Sequence, residues 1–146
     1  MTYDKALLGL FSGLDDASLG ELYGSEEQCR QALIRLRWGQ GWICARCGHR
    51  RHAVLRQRRV LQCNICKQQV SLTAGTVFEH SKLPLAAWFS AIHQLSRTRG
   101  RATSTELARH LGLRQATAWL MKYKLMQIYQ AELRKEITKA WLNVGI

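Results

Sequence analysis

At 146 residues with 47% hydrophobic side chains, the chain can form one domain or two small ones, and wholesale disorder is excluded. No run approaches the roughly 18 consecutive apolar residues of a membrane span. The N-terminus, with Asp4 and only the short apolar run Leu7 to Phe11, lacks the form of a signal peptide. Lys and Arg number 22 against 10 Asp and Glu, a formal +12, and the excess is uneven: residues 1–43 hold four basic and six acidic residues, residues 44–146 hold 18 and four. Such a single-sign excess predicts a polyanionic partner, nucleic acid first. An anionic membrane surface fits less well, because no basic amphipathic helix carries the charge.

Residues 1–41 read as a helical segment. Asp15 and Asp16 precede a short stripe of Leu19 and Leu22. Ser25-Glu26-Glu27-Gln28 is a capping box that opens a helix through Arg37, with Cys29, Leu33 and Leu36 on one face. Gly39 and Gly41 end it. This segment is expected to cover the next one, and Cys29 is expected to be a buried, inert thiol.

Residues 42–80 carry the chain's strongest motif. Cys44-Ala45-Arg46-Cys47 is followed, fifteen residues on, by Cys63-Asn64-Ile65-Cys66. Each C-x2-C turn can aim two thiolates at one ion, so Cys44, Cys47, Cys63 and Cys66 predict a tetrahedral four-thiolate site. Four protein ligands leave no open position, which makes the expected Zn2+ structural rather than catalytic. Iron also suits four thiolates, although nothing nearby suggests an electron-transfer partner. A reducing cytoplasm is the expected setting, since it keeps thiols available to a metal. Short strands are predicted at His52–Leu55, Val60–Gln62 and near Gln69–Leu72, a zinc-ribbon arrangement in which Gly48 serves a tight knuckle. So small a unit falls below the ~40 residues that usually fold unaided, and zinc supplies on the order of 10–16 kcal/mol in such sites. Residues 44–72 hold seven basic side chains and no acid. Of these, Arg50, Arg51, Arg56, Arg58 and Arg59 lie on or beside a hairpin turn and are candidate phosphate contacts. His49 and His52 are expected at the surface rather than in the metal shell.

Residues 81–146 read as helical again. Pro84 suits a first helical position, and Leu85, Trp88, Phe89, Ile92 and Leu95 form a core stripe behind it. Arg97, Arg99, Gly100 and Arg101 make a basic break. Thr103-Ser104-Thr105-Glu106 then opens a short helix, Gly112 breaks it, and a longer helix starts near Arg114. Short helix, glycine turn and long helix is the helix-turn-helix pattern. The wheel places Ala116, Trp119, Leu120 and Tyr123 on a buried face, and Arg114, Gln115, Ala118 and Lys122 outward towards a groove. Met121 and Leu125 also fall outward, which implies packing against another element or a second chain. The expected class is therefore α+β, mostly helical: ribbon hairpins flanked by an N-terminal helical segment and a C-terminal helix-turn-helix.

The order of Arg37-Trp38, Cys44-x2-Cys47-Gly48, Cys63-x2-Cys66, Thr73-Ala74-Gly75-Thr76-Val77-Phe78, Ser81-Lys82-Leu83-Pro84-Leu85 and Trp88 resembles the N-terminal region of bacterial insertion-sequence transposases that carry a zinc ribbon. Leu107-Ala108-x2-Leu111-Gly112 and Ala118-Trp119 fit as well, so the resemblance covers roughly residues 15–130. Ala45 departs from it, standing where the family often has proline. The resemblance implies that ribbon and helix-turn-helix bind double-stranded DNA at the element's terminal inverted repeats, ahead of a DDE-type nuclease domain. Two-metal strand transfer needs a cluster of carboxylates. After residue 27 only Glu79, Glu106, Glu132 and Glu136 remain, and no Asp follows Asp16. The chain alone is thus expected to be non-catalytic, with no catalytic residues, and to correspond to a truncated transposase. A homo-oligomer is compatible with this reading. The alternative is a zinc-ribbon adaptor or regulator that binds protein or RNA.

Overall fold

Capping side chains set the helical frame. The structure, a computed structural model, describes residues 2–55 and 58–143. Helices α1 (Thr2–Gly9), α2 (Asp16–Tyr23) and α3 (Glu26–Arg37) form the N-terminal segment. The Asp15 carboxylate accepts the Ser18 N–H at 2.7 Å at the start of α2, and that bond holds its pKa below the usual carboxylate value. At α3 the expected box is complete. Ser25 Oγ accepts the Gln28 N–H at 3.1 Å, and the Gln28 side chain accepts the Ser25 N–H at 3.0 Å.

Strands β1 (His52–Leu55), β2 (Val60–Cys63) and β3 (Gln69–Ser71) form one antiparallel sheet in the order β1-β2-β3. His52 pairs with Cys63, and Val60 lies between Leu55 and Ser71. Helices α4 (Leu85–Thr98), α5 (Ser104–Leu111) and α6 (Gln115–Asn143) complete the chain. The α4 stripe of Leu85, Trp88, Phe89, Ile92 and Leu95 is buried, as its spacing predicts. Pro84 stands one place earlier than expected: its ψ of 146° is extended, so it is the N-cap and Leu85 opens the helix. The Leu85 N–H donates to the Glu26 carboxylate from α3, which places a negative charge at the positive end of α4.

The apolar interior divides in two. One cluster joins Leu7 and Phe11, Cys29 and Leu33 of α3, the α4 stripe, and Leu107, Ala118 and Leu125 of α5 and α6. The rings of Phe11, Tyr23 and Phe89 meet pairwise at 5.3–5.6 Å within it. A second, small cluster holds Trp42, Cys44, Leu61 and Cys63, and among the described residues Ile34 of α3 and its C-cap Trp38 are the ones that pack against both. The N-terminal helices therefore share a core with the C-terminal ones. The end of α3 reaches the ribbon, and Leu72 and Phe78, which follow β3, join the helical cluster. Cys29 is buried and donates to the Tyr23 carbonyl, and desolvation pushes its thiol up to about 12, so it is inert at neutral pH. His93 is buried on α4 and donates from Nε2 to the Leu14 carbonyl at 2.7 Å, and Arg97 meets Asp16 at 2.7 Å. Both tie the α1–α2 connection to α4.

The expected face of α6 is inverted. Ala118, Met121 and Leu125 are buried, while Trp119, Leu120 and Tyr123 are 56%, 47% and 51% exposed, and Ala116 is exposed too. Both stripes are apolar at helical spacing, so the wheel alone does not choose between them. Side-chain size does: α5 brings Leu107 and Ala108 into the shared cluster, and a close crossing of two helices admits Ala118 where Trp119 would clash.

Candidate metal centre and nucleic-acid interface

The two knuckles are built alike. In the first, the Cys44 N–H donates to the His49 carbonyl at 2.9 Å, and the Gly48 N–H donates to the Cys44 carbonyl at 2.9 Å. In the second, the Cys63 N–H donates to the Gln68 carbonyl at 2.9 Å, and the Lys67 N–H to the Cys63 carbonyl at 3.1 Å. Each turn needs a left-handed residue four places after its first cysteine: Gly48 has φ +76° and Lys67 φ +64°. The ladder pair His52–Cys63 and the bond from the Asn64 N–H to the Arg51 carbonyl bring the second knuckle against the first.

The four sulfurs converge. Cys44 and Cys66 Sγ lie 3.6 Å apart, as do Cys47 and Cys63, and all four lie within 4.8 Å of one another. Tetrahedral zinc with bonds of about 2.3 Å requires sulfurs spaced about 3.8 Å apart. The residues therefore fit one structural Zn2+ with only small adjustments. Cys44 and Cys63 are buried and Cys47 is exposed, so the site lies at the edge of the ribbon core. The His49 and His52 rings are not part of this ligand group among the described residues, and His52 packs against Trp42 at 5.1 Å.

The thiols share their protons unequally. The Cys47 and Arg46 backbone N–H groups hold the Cys44 thiol down to about 6. The Cys63 thiol is desolvated, yet the Cys66 and Ile65 N–H groups draw it below the usual thiol value. At Cys47 the His49 N–H pulls downward, but desolvation and the crowding of the Cys63, Cys66 and Cys44 sulfurs outweigh it and push the thiol up to about 11. N–H groups aimed at sulfur favour thiolates, the form a metal takes.

Of the basic residues expected at the ribbon, Arg50, Arg51 and Arg58 are exposed and free to follow a phosphate backbone. Arg56 lies outside the described residues. Arg59 is partly buried: its guanidinium donates to the Ser81 carbonyl at 3.2 Å and the Leu83 carbonyl at 2.6 Å. Arg37, for which the sequence suggests no bonding role, donates to the Ser71 and Leu72 carbonyls, each at 2.7 Å. These two arginines fasten the ribbon to the helices. Arginine's five donors in a rigid fork suit that task, but no sequence signal separates it from phosphate binding.

Helices α5 and α6 flank Gly112, whose φ of +67° makes the turn left-handed. Thr103 caps α5 by accepting the Glu106 N–H at 3.1 Å. Arg114 is exposed, while Lys122 is half-buried. The Gln115 amide donates to Thr105 Oγ1 at 2.9 Å, which ties the start of α6 to α5. The outward face between them carries the exposed Trp119 and Tyr123, whose rings stack at 5.4 Å and 9°.

Comparison with known proteins agrees with this centre. Residues 24–69 match the family described as the transposase zinc-ribbon domain. The chain is also 36% identical over 78 residues to a protein of Halobacterium salinarum named as an uncharacterized protein in transposable element ISH50. That match covers 50% of this chain and 26% of the relative, so the chain spans about a quarter of the relative's length. No solved structure matches the chain significantly. No described helix is long and apolar enough to cross a membrane. The converging thiols and paired knuckles thus belong to a segment similar to the transposase zinc-ribbon domain, with four cysteines placed to hold one structural Zn2+.

Proposed function

We propose that the chain is the DNA-recognition part of a transposase, working in the reducing cytoplasm and binding the ends of its element. The three-part organisation of 1–41, 42–80 and 81–146 would then present the ribbon and the helix-turn-helix as two contacts on one duplex. One observation carries the reading: the transposase-type ribbon holds seven basic side chains and no acid over residues 44–72. Phosphate contacts position a protein on DNA, and a single-sign surface supplies them. Two of the four acidic residues after residue 27 have local roles, Glu132 pairing with Lys135 at 3.1 Å and Glu106 standing in the first turn of α5. We therefore read strand transfer as the work of another region or chain.

A salt titration of duplex binding tests the proposal. Arg58→Ala should weaken binding to every duplex and lower the salt slope by about one unit. Tighter binding to single-stranded RNA than to duplex, or an unchanged slope in Arg58→Ala and Arg50→Ala, would favour an adaptor instead. Cleavage or strand transfer by the pure chain with magnesium would contradict the non-catalytic reading.

A further inference from the structure

The outward face of α6 is dominated by apolar and aromatic side chains rather than by the hydrogen-bonding ones expected of a base reader. Opposite the buried Ala118, Met121 and Leu125 stand Ala116, Trp119, Leu120 and Tyr123, all exposed. Trp119 and Tyr123 lie one turn apart and stack nearly parallel, 9° between rings. Their pairing presents a broad, rigid apolar surface on a helix that is anchored behind. Gln115 at the start of this face is engaged by Thr105, which removes one of its donors from solvent. Beside the patch, a cleft of about 600 Å3 between α5 and α6 is lined by Thr103, Ser104, Trp119, Lys122, Tyr123 and Met126. Residues 97–124 carry seven basic side chains against the single acid Glu106.

Lys122 lines the cleft beside this apolar patch and the exposed Arg114 stands at the start of the same helix, and these cations select the occupant. A second copy of the same face would set these cations against each other. A duplex offers the complement: phosphates at the margins and, in the major groove, the C5-methyl groups of thymine between them. We propose that Trp119, Leu120 and Tyr123 read thymine methyl groups in the major groove, with Lys122 holding the adjoining phosphate. This rests on the DNA-binding reading above and specifies its chemistry: sequence preference by apolar contact, rather than by Gln115 or Arg114 hydrogen bonds.

Replacing thymine by deoxyuridine removes the methyl and leaves base pairing and charge unchanged. The test uses the full zinc-loaded chain and duplexes selected by it from a random library, with each thymine replaced singly. At one or more positions, affinity should fall about fourfold per contacted methyl. Trp119→Ala and Tyr123→Ala, both at exposed positions, should keep the helical circular dichroism, lose the thymine–uracil discrimination and leave the salt slope unchanged. Trp119→Phe should retain part of it. Sequence-selective binding that ignores every thymine replacement overturns the inference and leaves the DNA reading standing. So does a Trp119→Ala variant that keeps discrimination but changes sedimentation, which would make the patch a protein interface. Failure to bind any duplex overturns both.

Discussion

Leu7 of α1 and Leu125 of α6 belong to one continuous apolar cluster, to which every helix of the N-terminal and C-terminal segments contributes core or partly buried side chains. Among the described residues, the ribbon's own buried cluster holds Trp42, Cys44, Leu61 and Cys63, and two of those four are metal-centre thiols. The helical body can thus be stabilised by burial alone, whereas the ribbon cannot, since apolar area on this scale does not offset the entropy of ordering its strands. The comparison assigns two stabilising forces to two regions and leaves Ile34, Trp38, Arg37 and Arg59 as their seam.

The largest predicted effect separates the regions outright. Cys63→Ser removes one of four ligands and should forfeit most of the roughly 10–16 kcal/mol that zinc supplies to such sites. The sheet should unfold while the helical circular dichroism signal largely persists. Helices melting together with the ribbon would break the comparison. Acid should act in the same direction. Zinc displaces a proton from every thiol whose metal-free pKa lies above the ambient pH; the Cys44 thiol is held down to about 6 and the Cys47 thiol pushed up to about 11. Affinity should therefore rise with pH through neutrality, and its pH slope should steepen by one proton below about pH 6, where Cys44 too is protonated. A competition titration with a chromophoric chelator at several pH values measures this; a flat profile would contradict it.

On the other side of the comparison, Phe89→Ala should cost about 3–5 kcal/mol, because the ring is fully buried against Phe11, Tyr23 and Phe78. Thermal unfolding of the helices should move down while one zinc per chain is retained just below the transition. The smallest effect belongs to the seam. Arg59→Ala leaves the Ser81 and Leu83 carbonyls without their donor and should cost about 1–3 kcal/mol. Its salt slope on duplex DNA should match the wild type, unlike that of Arg58→Ala. An equal drop in slope for both would return Arg59 to the DNA surface.

The sequence made legible whatever depends on near neighbours. The C-x2-C pairs, the Ser25–Gln28 box, the strand at His52–Leu55 and the α4 stripe all stand where spacing puts them. What it hid depends on distant ones. Trp119 and Met121 are equally apolar, and only the docking of α5 decides which is buried. Arg59 sits among arginines of similar appearance, and only the carbonyls of residues 81 and 83 distinguish it. Glu26 reads as first-turn charge on α3, yet its carboxylate caps α4, 59 residues away.

Amide hydrogen exchange of the zinc-loaded chain, recorded with and without a strong chelator, tests the division of forces most directly. Protection at β1, β2 and β3 should vanish on metal removal, while α3 and α4 keep most of theirs. Equal loss in sheet and helices, or a ribbon that stays protected without metal, would contradict the account.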